Sequence, residues 1–143
     1  MPALLPGAAQ LPSLALAVLV IAAVVASGPA PAGEPDPVRG KYLFAAAGCA
    51  ACHTDKKGKG ASLAGGRKLK TPFGIFFSPN ITPDPEYGIG KWSDRDFIRA
   101  LRQGVAPDGR HYFPVFPYTS FTNMTDADMK ALKAFIFTLK PIA

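Results

Sequence analysis

Cys49-Ala50-Ala51-Cys52-His53 decides how the rest of this chain is read. Two thiols three residues apart on one helical turn, followed at once by an imidazole, make the CxxCH attachment sequence for c-type haem. Each thiol is spaced to form a thioether to a haem vinyl group, and His53 is carried beneath the porphyrin, where a ring nitrogen binds iron. Other readings are weaker on physical grounds. A CxxC redox pair expects a following helix in a βαβ setting, whereas here the helical pattern precedes the cysteines. A zinc site draws four ligands, usually from two Cys or His pairs; only His111 remains outside the motif, so a carboxylate or water would have to complete the shell. A structural disulfide across a two-residue spacer closes a tight ring and stabilises little.

Composition agrees with a cofactor-centred domain. The chain has 143 residues, 48% hydrophobic and 18% charged, enough for one compact domain and too few for a large multidomain enzyme. Two Cys and two His exclude a disulfide-stapled scaffold or a rich metal cluster. Fifteen Pro and fourteen Gly predict long irregular loops that need something to wrap around. One CxxCH predicts one covalently bound haem.

Upstream of the motif the sequence changes character. No Asp, Glu, Lys or Arg precedes Glu34, and Leu14 to Ala26 is an unbroken apolar run of thirteen residues. A membrane-spanning helix needs roughly 20 apolar residues and a signal-peptide core about 7–15, so residues 1–32 are expected to be a signal peptide. Ala30-Pro31-Ala32 supplies a small-x-small cleavage site. Met1 to Ser13 carries no Lys or Arg, which leaves an uncleaved anchor facing the periplasm as the alternative. Residues 33–37 then form a Pro-rich linker, and 38–143 the haem domain.

Three capped helices frame that domain. Asp36-Pro37 caps a first helix running to Ala47, with Gly48 as its stop. Ser93 with Asp96 caps a second, whose stripe is Phe97, Ile98 and Leu101 and whose end is Gly104. Thr125 with Asp128 caps a third, carrying Ala131, Leu132, Phe135, Ile136 and Leu139 before Pro141 stops it. Between them, residues 49–91 and 105–124 hold no convincing period-2 strand. An all-α fold with long loops pinned by a ligand is expected.

The stretches GKYLFAAAGCAACHT, GGRKLKTPFGIFFSPNITPDPEYGIGKWSDRDF, RALRQGVAPDGRHYFPVFPYTSF and TNMTDADMKALKAFI resemble class I cytochromes c. In particular they resemble the haem subunits that accompany periplasmic alcohol, gluconate and aldehyde dehydrogenases, and the likeness covers essentially all of 38–143. It implies the class I fold. It also implies a distal iron ligand from the loop before the last helix, where Met124 stands; a thioether there favours reduced iron and raises the potential. Some relatives carry Met-Pro where this chain has Phe116-Pro117, and Phe116 cannot bind iron. His111 is the alternative distal ligand. By the same resemblance a carbonyl near Thr71-Pro72 or Ser78-Pro79 receives the His53 ring N–H, and Trp92 lies near a haem propionate. The aromatic and proline residues of the loops, among them Phe76, Phe77, Phe113, Phe116 and Phe121, are expected around the porphyrin.

The expected function is that of an exported, periplasmic monohaem cytochrome. It would take single electrons from a periplasmic dehydrogenase and pass them to a terminal oxidase or another cytochrome, with no catalysis of its own. The alternatives are a haem peroxidase or gas sensor with an open distal site, and a haem subunit fixed in a larger complex. Lys56, Lys57, Lys59, Arg67, Lys68 and Lys70 run without one acid. They read either as a solvated basic loop or as a field that steers an acidic partner. Nucleic-acid binding has no motif to support it.

Overall fold

The computed structural model describes residues 34–143. The expected signal peptide, residues 1–32, and Gly33 of the linker lie outside the described residues. Along the rest run α1 (Pro37–Ala46), α2 (Cys49–His53), β1 (Lys68–Thr71), β2 (Gly74–Phe77), α3 (Asp94–Gln103), a 3-10 turn (Tyr118–Phe121) and α4 (Asp126–Ile136).

The three long helices begin at the caps that the sequence offers. Asp36 accepts from the Val38 N–H with Pro37 in the first turn. Ser93 and Asp96 close a reciprocal capping box, in which Ser93 accepts from the Asp96 N–H and Asp96 accepts from the Ser93 N–H. Thr125 accepts from the Asp128 N–H at 3.1 Å. Each cap satisfies amide donors that the first turn leaves without helical partners. Gly104 ends α3 in the left-handed region at φ 67°.

α1 and α4 make the principal helix pair. They meet at Gly40, which is buried and has no room for a side chain: a Cβ there would collide with the Ala131 carbonyl and come within 2.8 Å of the Phe135 Cβ. One turn on, Phe44 meets Phe135 edge to face with centroids 5.2 Å apart. The Arg39–Asp128 ion pair at 2.9 Å lies at the outer end of the same crossing. α3 joins α4 through Lys133–Asp94 at 2.7 Å, and Phe97, Leu132, Ile136 and Ile89 form the buried cluster where the elements converge.

The loops differ from the expectation in two places. The motif is itself a short helix, α2, entered through Gly48 at φ 66°, so Gly48 turns the chain between two helices as well as stopping the first. Residues 68–77 form an antiparallel hairpin with Leu69 opposite Phe76 and Lys68 opposite Phe77, where the sequence reading finds no strand. Thr71 stabilises its turn by donating to the Gly74 carbonyl at 3.0 Å. Among the described residues no helix is long and apolar enough to cross a membrane.

Candidate functional site

Cys49, Cys52 and His53 open onto one cavity of about 260 Å³, near the lower end of small-molecule pockets. Its walls come from every part of the fold. β1 and β2 supply Leu69 and Phe76, α3 supplies Phe97 and Leu101, the 105–124 loop supplies Phe113 and Phe116, and α4 supplies Leu132 and Ile136. Phe76 stacks on Phe113 at 4.1 Å between ring centroids, joining the hairpin to the opposite loop across the mouth. The hairpin, α3, the 105–124 loop and α4 are therefore brought together around one apolar space.

Three titratable groups facing this space are shifted toward their neutral forms. Burial pushes the Cys49 thiol up to about 11, pulls the His53 imidazole below its ordinary value and raises the Tyr112 phenol. In each case desolvation is the dominant cause, as expected of a dry site.

His53 is oriented as a ligand. Its Nδ1 lies 2.8 Å from the Pro79 carbonyl oxygen, which can only accept, so Nδ1 carries the proton and Nε2 keeps a free lone pair. Such a backbone acceptor fixes the ring and raises the basicity of the ligating nitrogen. The Pro79 carbonyl is itself held. Gly65, at φ 79°, donates its N–H to the His53 carbonyl at 2.9 Å, and a Cβ there would lie 2.5 Å from the Ser78 oxygen and from the Pro79 carbonyl carbon. Only glycine lets these two strands of backbone pass so closely. Beyond Pro79, the Asn80 side chain accepts from the Thr82 N–H at 2.8 Å and donates to the Ile142 carbonyl at 2.6 Å, tying the loop to the C-terminal segment. Arg67 donates to the Ala51 carbonyl and fastens α2 to the start of the hairpin.

This set of groups matches haem c. Two unpaired thiols sit beside an imidazole with a free nitrogen, and the space they face is dry and mostly apolar.

The family model for cytochrome c matches residues 37–140. The chain belongs to the cytochrome c family. A cytochrome c domain carries covalently bound haem c and moves electrons; it is an electron-transfer module and not itself a catalyst. A nicotinate dehydrogenase subunit from Pseudomonas putida is 54% identical over 104 residues, covering 73% of this chain and 9% of that protein. A diheme cytochrome c-type protein of Cereibacter sphaeroides is 47% identical over 106 residues, covering 72% of this chain and 36% of its own length. The fructose dehydrogenase cytochrome subunit of Gluconobacter japonicus is 44% identical over 115 residues, 80% of this chain and 24% of that protein. The chain thus spans between about a tenth and somewhat over a third of these relatives.

The remaining expected site residues of this cytochrome c separate. Met124 is half-buried and packs against the Ile89, Phe97, Leu132 and Ile136 cluster, whose members line the cavity although Met124 itself is not among the lining residues. Its carbonyl accepts from Arg102 at 2.8 Å, which anchors the backbone just before α4. His111 is exposed and lies on a second cavity of about 440 Å³ with Arg110 and Asp108. The two cavities share Pro79, Trp92 and Tyr112, so Trp92 stands between them. The carbonyl that the resemblance places in one of two segments is that of Pro79. Phe73 and Tyr118 fall outside the haem cavity, while Leu69, Ile89 and Tyr112, which the sequence reading leaves aside, are part of its wall. The Gly65-Gly66 pair was the visible sign of a close backbone crossing.

Proposed function

We propose that this chain is an exported monohaem cytochrome c that takes single electrons from a periplasmic dehydrogenase and passes them to a respiratory acceptor. The observation that carries the reading is the convergence of Cys49, Cys52 and a tautomer-fixed His53 on one dry cavity. A single CxxCH supports one haem per chain. Relatives whose names are cytochrome subunits of fructose, alcohol and gluconate dehydrogenases support a dehydrogenase as donor. The charge-free leader with its thirteen-residue apolar core supports export to the periplasm, with an uncleaved anchor as the alternative.

Haem c supplies a reversible one-electron iron couple when bound. The protein's part is to hold and tune it. Cys49 and Cys52 would hold the group covalently, and the short helix that carries them would offer His53 Nε2 to the iron. Pro79 keeps the ring from turning and favours electron donation by Nε2. Phe76, Phe113, Phe116 and Leu132 exclude water, which restricts reorganisation when charge changes and raises the potential by disfavouring the more highly charged state. Met124 is proposed as the distal ligand, supported by its place before α4 and its packing against the cavity wall.

A distal site open to exogenous ligands is the competing reading, and it draws on one observation: Met124 is not among the lining residues. Carbon monoxide separates the two. Ferrous protein with firm Met124 ligation binds little CO at neutral pH, whereas prompt, complete binding assigns the chain to the open-site class.

A further inference from the structure

We propose that the outward face of the β1–β2 hairpin is the docking surface for an acidic redox protein, with Phe73 and Ile75 as apolar anchors and the lysines around them as the steering field. The proposal rests on the electron-carrier reading above and names the partner's chemistry.

The hairpin is two-faced. Leu69 and Phe76 point into the haem cavity, Phe77 borders it while staying largely exposed opposite Lys68, and the cross-strand pair Lys70–Ile75 lies on the exposed face. Phe73 at the turn is 81% exposed, Phe77 62% and Ile75 53%, so three of the molecule's exposed large apolar side chains fall within five residues. Isolated exposed apolar residues are ordinary, but a cluster of this kind marks an interaction site. Phe77 and Ile75 each face a lysine across the hairpin, and the Lys68 ammonium lies 5.8 Å from the Phe77 ring centroid.

The charge distribution chooses the occupant. Residues 55–77 hold six cations against one acid, Asp55, and so carry five of the chain's net six positive charges. Among the described residues none of those six cations is in an ion pair, whereas Arg39, Arg99, Arg102, Arg110 and Lys133 all are. Outside that segment ten cations stand against nine acids, so charge is nearly balanced; here the excess is left for a partner. A fixed one-sided field of this sort speeds encounter with an anionic surface and loses strength with salt. The hairpin separates the haem cavity from solvent by one layer of side chains, so what docks there gains access to the redox centre. A bilayer surface has no use for that access, and a redox protein does.

The test uses the matured, haem-loaded full chain, reduced and mixed in stopped flow with either of two oxidants: a strongly acidic blue-copper protein, or uncharged 1,4-benzoquinone. Lys68→Glu with Lys70→Glu is expected to slow the copper-protein reaction at least tenfold at low ionic strength and to flatten its salt dependence. Phe73→Ser with Ile75→Thr is expected to weaken saturation by the copper protein several-fold without changing the salt slope. Both variants should react with benzoquinone at the parent rate, and Arg95→Glu on α3 should have a clearly smaller effect on the copper protein than the hairpin reversal. Parent-like copper-protein kinetics in both hairpin variants, or an equal loss in Arg95→Glu, overturns the docking surface while leaving the carrier reading intact. Binding of the parent to phosphatidylglycerol vesicles that Phe73→Ser with Ile75→Thr abolishes, with copper-protein rates unchanged, overturns it in favour of a membrane. A parent protein that benzoquinone fails to oxidise refutes the carrier reading, and the docking surface falls with it.

Discussion

Replacing Gly40 by alanine sets two physical effects against each other. Helix propensity alone favours the change by about 1 kcal/mol, because Gly40 is inside α1. The packing opposes it. The new Cβ would overlap the Ala131 carbonyl, lie 2.6 Å from the Ala131 carbonyl carbon and 2.8 Å from the Phe135 Cβ. Two of these atoms belong to the α4 backbone and cannot rotate aside, so the cost falls at the upper end of overpacking, about 3 kcal/mol. Separating the helices also weakens the Phe44–Phe135 contact, at about 1 kcal/mol. The net is a loss of about 3 kcal/mol, or roughly 12 °C in Tm for a domain of this size. Urea unfolding of the haem-loaded protein, followed by far-UV circular dichroism, reads the change as a lower midpoint at constant m-value. A Gly40→Ala variant as stable as the parent, or more so, would refute the claim that α1 and α4 meet backbone to backbone at this residue.

Three other outcomes are expected. Gly65→Ala forces an L-residue into φ 79° and pushes against the Ser78 oxygen and the Pro79 carbonyl carbon, so it should displace the acceptor of the His53 proton. A raised reduction potential, from a less electron-donating Nε2, and altered ligand-field bands should accompany a stability loss of about 2 kcal/mol, and a stability loss alone argues against a positioning role. Met124→Ala should abolish the sulfur-to-iron absorption band of the oxidised protein, and His111→Ala should keep it; the reverse pattern assigns the distal site to His111. Ser93→Ala should cost about 1 kcal/mol and reduce the stability lost in acid. Hydrogen bonds from Ser93 hold the Asp96 carboxyl below its ordinary 3.8, so this stability is present above that value and disappears as pH falls through the lower folded value. Acid titrations of parent and variant that run parallel would exclude the cap as the cause.

Elements whose physics is local were legible in the sequence. Asp36-Pro37, Ser93 with Asp96, and Thr125 with Asp128 each satisfy amides within a few residues, and each begins a helix where the sequence says it should. The clustering of Cys49, Cys52 and His53 was legible for the same reason, since they lie on a single short helix. The hairpin was not. Leu69, Phe76 and Phe77 line the cavity although Phe76 and Phe77 are consecutive, its outward face mixes lysines with apolar side chains, and its turn carries Pro72-Phe73 in place of an Asn-Gly signal. No alternation of polar and apolar residues survives that mixture. Gly40 was invisible for another reason: what it excludes is a backbone 91 positions away, at Ala131, which no local pattern encodes, and the Gly65-Gly66 pair signals a close backbone approach without naming its partner at Ser78, 13 positions on. The same holds for Pro79, whose carbonyl meets His53 across 26 positions and was narrowed only to one of two segments by resemblance.

Covalent haem at Cys49 and Cys52 is the claim on which the rest depends, and the alkaline pyridine spectrum of matured protein tests it most directly. The parent should give the ferrous haemochrome of a haem joined by two thioethers, at one haem per chain, with the colour remaining on the polypeptide after acid–acetone extraction. Cys49→Ser with Cys52→Ser should lose its colour to the extract. A parent chain that is folded and colourless, or whose haem leaves with the solvent, contradicts the account.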